Sequence, residues 1–133
     1  MKRIKDVVQI TGLSRRTLQY YDDRDLLQPV RSPENYRLYS DADLQKLWKI
    51  LAYKEMSFTL DEIAIFLDKD EHYMSQVLEH KLAAIEQEMK NLQQTHHFVQ
   101  HILHHGIPDQ SIIQPTSKCL TYKDQIDYLA KQI

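Results

Sequence analysis

The sequence predicts a mainly α-helical protein in three parts: short helices and one small hairpin over residues 1–70, a long helix over 71–105, and a link to a short helix over 106–133. Three observations carry this. In the first seventy residues, cap-type residues repeatedly precede apolar residues spaced three and four apart, as amphipathic helices require. Residues 31–39 instead alternate as a strand does around a proline-containing turn. From Glu71 to His105 neither proline nor glycine interrupts the chain. A length of 133 residues with 42% hydrophobic content suits one ordinary domain plus an extended element. No apolar run approaches membrane-spanning length, and the opening MKRIKDVVQI turns amphipathic too soon for a signal peptide. The expectation is a cytoplasmic protein with no membrane partner. The single cysteine, Cys119, excludes an internal disulfide framework and any cysteine-pair zinc motif.

Ile4, Val7 and Val8 recur at helical spacing, with Ile10 following, so the opening segment is expected to be a short helix ending at Thr11-Gly12. Ser14 then has the chemistry of an N-cap for a second helix. On that helix Leu18 and Tyr21, three apart, face inward, while Arg15, Arg16, Gln19 and Tyr20 project from the other side. Two short helices joined by a glycine-containing turn form a helix-turn-helix, a geometry that can seat the second helix in a major groove. Its outer face joins two guanidinium forks, suited to guanine edges or phosphate, with the hydrogen-bonding tips of Gln19 and Tyr20. Alone, such a face is more often that of a solvated amphipathic helix.

The run Asp22-Asp-Arg-Asp-Leu-Leu-Gln-Pro29 ends the helix, and Arg31-Ser-Pro-Glu-Asn-Tyr-Arg-Leu-Tyr39 reads as a hairpin turning near Pro33 to Asn35. Asparagine tolerates positive φ better than most residues. Beside a helix-turn-helix the hairpin is a wing, from which Arg31, Tyr36 and Arg37 can reach flanking phosphates. Ser40-Asp-Ala-Asp43 supplies an N-cap and first-turn acids for a helix carrying Leu44, Leu47, Trp48, Leu51 and Ala52, read as core, to about Glu55. Trp48 is expected to be a packing residue and is assigned no site. Thr59 and Glu62 have the spacing of a capping box before Leu60, Ile63, Ile65, Phe66 and Leu67, where the first domain closes.

Over 71–105, Leu78, Ile85, Leu92 and Val99 fall on one seam position and Leu82, Met89 and Leu103 on the other. A helix of about 35 residues would run about 50 Å, too long to bury its stripe on a domain of about 70 residues. A twofold homodimer through this helix is the expected solution. After Gly106-Ile-Pro108, Tyr122, Ile126, Leu129 and Ile133 fall on one face of a short docking helix. Charge divides along the chain, about +3 over residues 1–58 and about −5 beyond. A basic first half fits a polyanionic partner.

With these elements assembled, the chain resembles the MerR family of bacterial transcription regulators over its winged domain and long helix. The resemblance lies in Leu-Ser-Arg-Arg-Thr-Leu-Gln-Tyr-Tyr-Asp at 13–22, Leu26-Leu27, Asn-Tyr-Arg-Leu-Tyr-Ser-Asp-Ala-Asp-Leu at 35–44 and Phe-Thr-Leu-Asp-Glu-Ile at 58–63. It implies a homodimer with an antiparallel coiled coil, each winged domain reading half of an inverted repeat in double-stranded promoter DNA. It also implies activation by distortion of that DNA, so that RNA polymerase can use both promoter elements. Arg16, Thr17 and Tyr20 match family positions on the recognition helix, Tyr36 and Arg37 match the wing, and Lys54 matches a basic backbone contact. Arg15 joins them on exposure alone, and Arg31 on its place in the wing. Gln19 stands where the family usually has arginine, and Asn35 and Ser57 where it commonly has glycine.

Metal-sensing members bind their ion through cysteines near the ends of the dimer helix, and here only Cys119 is available. His97 and His101, or His101 and His105, are one turn apart, as a metal chelate needs. The heptad register opposes that use: His96 falls on the seam, and His97, His101, His104 and His105 point largely outward. They are expected to be solvated, and no metal or cofactor is assigned. The segment after Gly106 is too short for the drug-binding domain of some members. A small-molecule effector of unspecified chemistry, held against the partner subunit by Tyr122 and Tyr128, is an alternative to core packing by those two residues. Two other classes fit the same residues: an excisionase-like architectural DNA-bending protein, and a coiled-coil adaptor whose basic face binds protein. An enzyme is not expected, since there is no glycine-rich phosphate loop and Cys119 has no activating partner in sequence.

Overall fold

The computed structural model describes residues 1–109 and 121–133, which form two compact units, Met1–Met74 and Ser75–Ile133. Cys119 lies outside the described residues.

In the first unit β1 (Lys2–Arg3) leads directly into α1 (Ile4–Thr11) and α2 (Arg15–Asp23). The hairpin β2 (Val30–Arg31) and β3 (Arg37–Tyr39) follows, then α3 (Asp41–Glu55) and α4 (Leu60–Phe66). The strands form one antiparallel sheet in the order β1-β3-β2, with Lys2 opposite Tyr39 and Arg31 opposite Arg37. The helix expected from Ile4 to Thr11 is present as α1, and the strand β1 ahead of it is an addition that the sequence reading lacked. Two residues pairing with β3 are too few to impose a period of two on the sequence.

The helix starts follow the cap chemistry. Ser40 Oγ accepts the Asp43 N–H at 3.1 Å while the Asp43 carboxylate accepts the Ser40 N–H at 2.9 Å, which is how a buried aspartate is satisfied. Thr59 and Glu62 form the same reciprocal pair ahead of α4. Gly12 closes α1 at φ 75° with its N–H on the Val8 carbonyl, and Ser57 does the same work after α3 at φ 68°, donating to Lys54. Asn35 turns the hairpin at φ 70°, and Asp25, which the sequence did not flag, also adopts positive φ.

The core of this unit joins Val7 of α1, Leu18 and Tyr21 of α2, Leu26 and Leu27, Tyr39 of β3, Leu47 and Ile50 of α3, and Ile63 of α4. Tyr53, Phe58 and Phe66 meet edge to face beside it, the Phe58 and Phe66 ring centroids 5.0 Å apart. Trp48 is not part of this core. It is 77% exposed, because the buried edge of α3 runs through Asp43, Leu47 and Ile50 and leaves Trp48 on the opposite side. Ile10 and Ile65, also read as apolar-face residues, are exposed too.

In the second unit, α5 spans Glu71–His105 from its first turn in the preceding unit, and α6 spans Tyr122–Gln132, capped by Thr121 Oγ1 accepting the Asp124 N–H. From Leu82 to Leu103 the seam residues of α5 are 40–76% exposed. The end of α5 and α6 form a groove of about 470 Å³ lined wholly by apolar residues, among them Phe98, Ile102, Ile107, Ile126 and Leu129. Tyr122 and Tyr128 are exposed rather than packed in a core, although Tyr122 shares the face of α6 that carries Ile126 and Leu129.

Candidate nucleic-acid interface

The position of α2 is set by what it buries. Leu18 is fully buried and Tyr21 1% exposed, so the opposite face of the helix is turned outward, and Arg15, Arg16 and Gln19 stand exposed on it with Tyr20. Its first turn is held by Ser14, whose Oγ accepts the Thr17 N–H at 3.1 Å and donates to Thr17 Oγ1 at 2.9 Å. Thr17 is thus half-buried and engaged with the cap, and its hydroxyl retains acceptor capacity and one proton for an outside partner.

The hairpin is fastened to α2 by a charge pair. Arg37 Nε donates to Asp22 Oδ2 at 2.8 Å, with both side chains at most a quarter exposed. The guanidinium of Arg37 thus fixes the wing against the recognition helix and keeps only part of its fork for another acceptor. In the turn, Ser32 N–H donates to the Tyr36 carbonyl, and Arg31 Nη1 donates to the Asn35 carbonyl at 3.2 Å. Tyr36 is exposed beneath the guanidinium of Arg3, 5.1 Å from its ring centroid. Burial of Tyr39, the next aromatic along β3, pushes its phenol above the ordinary tyrosine pKa.

Two residues not anticipated from sequence belong to this surface. Arg24, just past α2, donates from Nη1 to Tyr20 Oη at 2.8 Å and pairs through Nη2 with Asp61 of α4. The hydrogen bond to Tyr20 is the largest cause holding the Arg24 pKa above its usual value. Arg3 meets Tyr36 as described. The i, i+4 spacing of Tyr20 and Arg24 is a legible signal, whereas Arg3 reaches Tyr36 only because β1 pairs with β3. Of the nine sequence-predicted residues, Arg15, Arg16, Thr17, Gln19 and Tyr20 share α2, and Arg31, Tyr36 and Arg37 share the hairpin. Lys54 stands exposed on a different element, the last turn of α3, where its charge also complements the helix dipole.

A model of the MerR HTH family of regulatory proteins matches residues 2–70. The chain belongs to that family. Over 67 residues it is 51% identical to the HTH-type transcriptional activator mta of Bacillus subtilis, covering 50% of this chain and 26% of that protein. The chain thus matches about a quarter of the length of such curated relatives. The crystal structure of MtaN, the N-terminus of the same Bacillus subtilis multidrug transporter activator, superposes with a TM-score of 0.72 at 35% identity, covering 77% of this chain and 98% of that one. The fold is also that of HiNmlR, described as a MerR family regulator lacking the sensor domain and bound to promoter DNA, with a TM-score of 0.55 and 21% identity over 77% of this chain and 83% of that one.

On α2 the uncharged Gln19 follows the two arginines, and three non-glycine residues of this unit, Asp25, Asn35 and Ser57, adopt positive φ. In the second unit the His101 and His105 rings lie one turn apart, their centroids 4.5 Å apart and their planes tilted by 38°. Among the described residues no group of three or more His, Cys, Asp or Glu is disposed to hold a metal ion.

Proposed function

We propose that this MerR-family regulator binds an inverted repeat in promoter DNA as a homodimer and controls transcription by distorting that DNA, with RNA polymerase as its partner at the promoter. In this reading α2 enters the major groove with Arg15, Arg16, Gln19 and Tyr20 toward base edges and phosphates. Arg31, Tyr36, Arg37 and Lys54 contact the flanking backbone. The observation that carries the reading is the Arg37–Asp22 pair, which joins the wing to the helix with both side chains mostly buried. An ion pair at such a site costs desolvation, and it repays that cost by presenting hairpin and helix as one rigid surface.

The second copy meets the first along α5. The seam that begins at half-buried Leu78 and continues through exposed Leu82, Ile85, Met89, Leu92, Val99 and Leu103 is a longer apolar stripe than a monomer leaves in water. This stripe favours a dimeric regulator over a monomeric DNA-bending factor. The test is footprinting of wild-type protein and Arg16→Ala on promoter fragments at fixed salt, because phosphate contacts make affinity salt-dependent. Protection of two half-sites by wild type, lost in Arg16→Ala, is the expected result. Equal affinity of the two proteins for every duplex would refute it in favour of an adaptor.

A further inference from the structure

Arg24 sits at the C-cap of α2, and its side chain folds back over the helix it closes. Nη1 donates to Tyr20 Oη at 2.8 Å, the guanidinium lies over the Tyr20 ring at 5.6 Å from its centroid, and Nη2 pairs with Asp61 in the first turn of α4. One planar fork therefore bridges the outward face of the recognition helix and a carboxylate 37 residues along the chain.

The direction of the Tyr20 bond is fixed by chemistry. Arginine carries donors only and does not deprotonate in proteins, so the phenol oxygen is the acceptor. The single phenol proton is then left for another acceptor, and polarisation by a cation makes it a better donor. The cation–π contact at the same time restricts rotation of an otherwise half-exposed ring. Arg24 itself has both Nη groups engaged, one by Tyr20 and the other by an exposed Asp61 carboxylate, so the pairing fixes the direction of its fork rather than cancelling its charge.

We propose that Arg24 is a positioning residue: held by Asp61, it orients Tyr20 so that the Tyr20 hydroxyl donates its one proton to a DNA phosphate. The proposal rests on the DNA-binding reading above and adds a role for two residues, Arg24 and Asp61, that touch no DNA in it.

The experiment uses the full chain and the duplex that wild-type protein enriches from a random-sequence pool. Dissociation constants are measured at one salt concentration for wild type, Tyr20→Phe, Arg24→Ala and the double variant, with Arg24→Lys and Asp61→Asn alongside. Loss of a hydrogen bond to a charged acceptor predicts a weakening on the order of tenfold for Tyr20→Phe. Arg24→Ala should weaken binding comparably, and the double variant should be no weaker than about the worse single one, because both act through the same proton. Arg24→Lys should fail to restore affinity, since an ammonium keeps the charge but not the fork that spans Tyr20 and Asp61. Asp61→Asn leaves every DNA-facing cation in place and removes a negative charge, yet it should weaken binding. It also serves as the decisive variant if Arg24→Ala does not fold, which thermal unfolding reports. Multiplying losses in the double variant, restoration by lysine, or tighter binding by Asp61→Asn would each overturn the positioning role while leaving DNA binding intact. Failure of wild type to enrich any duplex would overturn the DNA-binding reading, and this proposal with it.

Discussion

Replacing Leu92 by alanine tests the dimer through a single side chain. Leu92 lies midway along α5 and is 68% exposed in the isolated chain. In a dimer sealed along the stripe that exposed part is buried in both copies. Leu→Ala removes three carbons, each contributing about 0.8 kcal/mol when buried. Scaled by the exposed fraction, the loss is about 1.6 kcal/mol per protomer and about 3 kcal/mol per dimer. That raises the dimer dissociation constant on the order of 100-fold. Any cavity that fails to close adds to it. Because alanine is the best helix former, α5 itself is not weakened, and the effect reports association alone. Gln94→Ala, two residues on and off the seam, is the control with no expected change. Sedimentation equilibrium over a concentration series measures all three proteins. A wild type that stays monomeric, or equal dissociation constants for wild type and Leu92→Ala, would refute the argument that this stripe is an interface.

Ser57→Gly should stabilise the first unit by up to about 1 kcal/mol, since a side chain at φ 68° is strained where glycine is not, less the freedom glycine adds to the unfolded chain. A rise in the urea midpoint without a change in slope is the expected readout. Trp48→Gln should leave stability within about 0.5 kcal/mol of wild type, whereas Ile50→Ala, two residues on and fully buried, should cost about 2–5 kcal/mol. The same denaturation series compares them. Burial raises the Tyr39 pKa in the folded state, so the fold holds a proton that the unfolded chain releases near pH 10. The stabilisation linked to that proton is complete below the unfolded pKa and is lost as pH rises through the folded value. Tyr39→Phe should therefore flatten the alkaline fall in stability, and an unchanged slope would assign the fall to other groups.

What the sequence made legible is what acts within a turn or two of the chain. Ser14, Ser40 and Thr59 cap their helices through neighbours three residues on, and the long helix declares itself because periodicity accumulates over its length. Asn35 sits where the wing turn demands positive φ, and its chemistry said so. Trp48 shows where this kind of reading fails. Leu44, Trp48 and Leu51 mark an apolar stripe as good as that of Leu47 and Ile50, but the fold buries Leu47 and Ile50 fully, leaves Leu44 and Leu51 half-buried and exposes Trp48, and nothing local distinguishes which edge will be covered.

The charges of the site fail in the same way and with more consequence for mechanism. Counted along the chain, Arg24 and Arg37 are two more cations available to phosphate. In the fold each is matched to a carboxylate from a remote stretch, Arg37 to Asp22 and Arg24 to Asp61, at separations of 15 and 37 residues that no local pattern reports. In the proposed complex the salt dependence of binding should be set mainly by Arg15, Arg16, Arg31 and Lys54. Arg24 acts instead on geometry by holding the tyrosine, and Arg37 holds the wing while the rest of its fork meets the DNA backbone. Specificity in such a site depends on the aspartates behind the arginines as much as on the face that meets DNA.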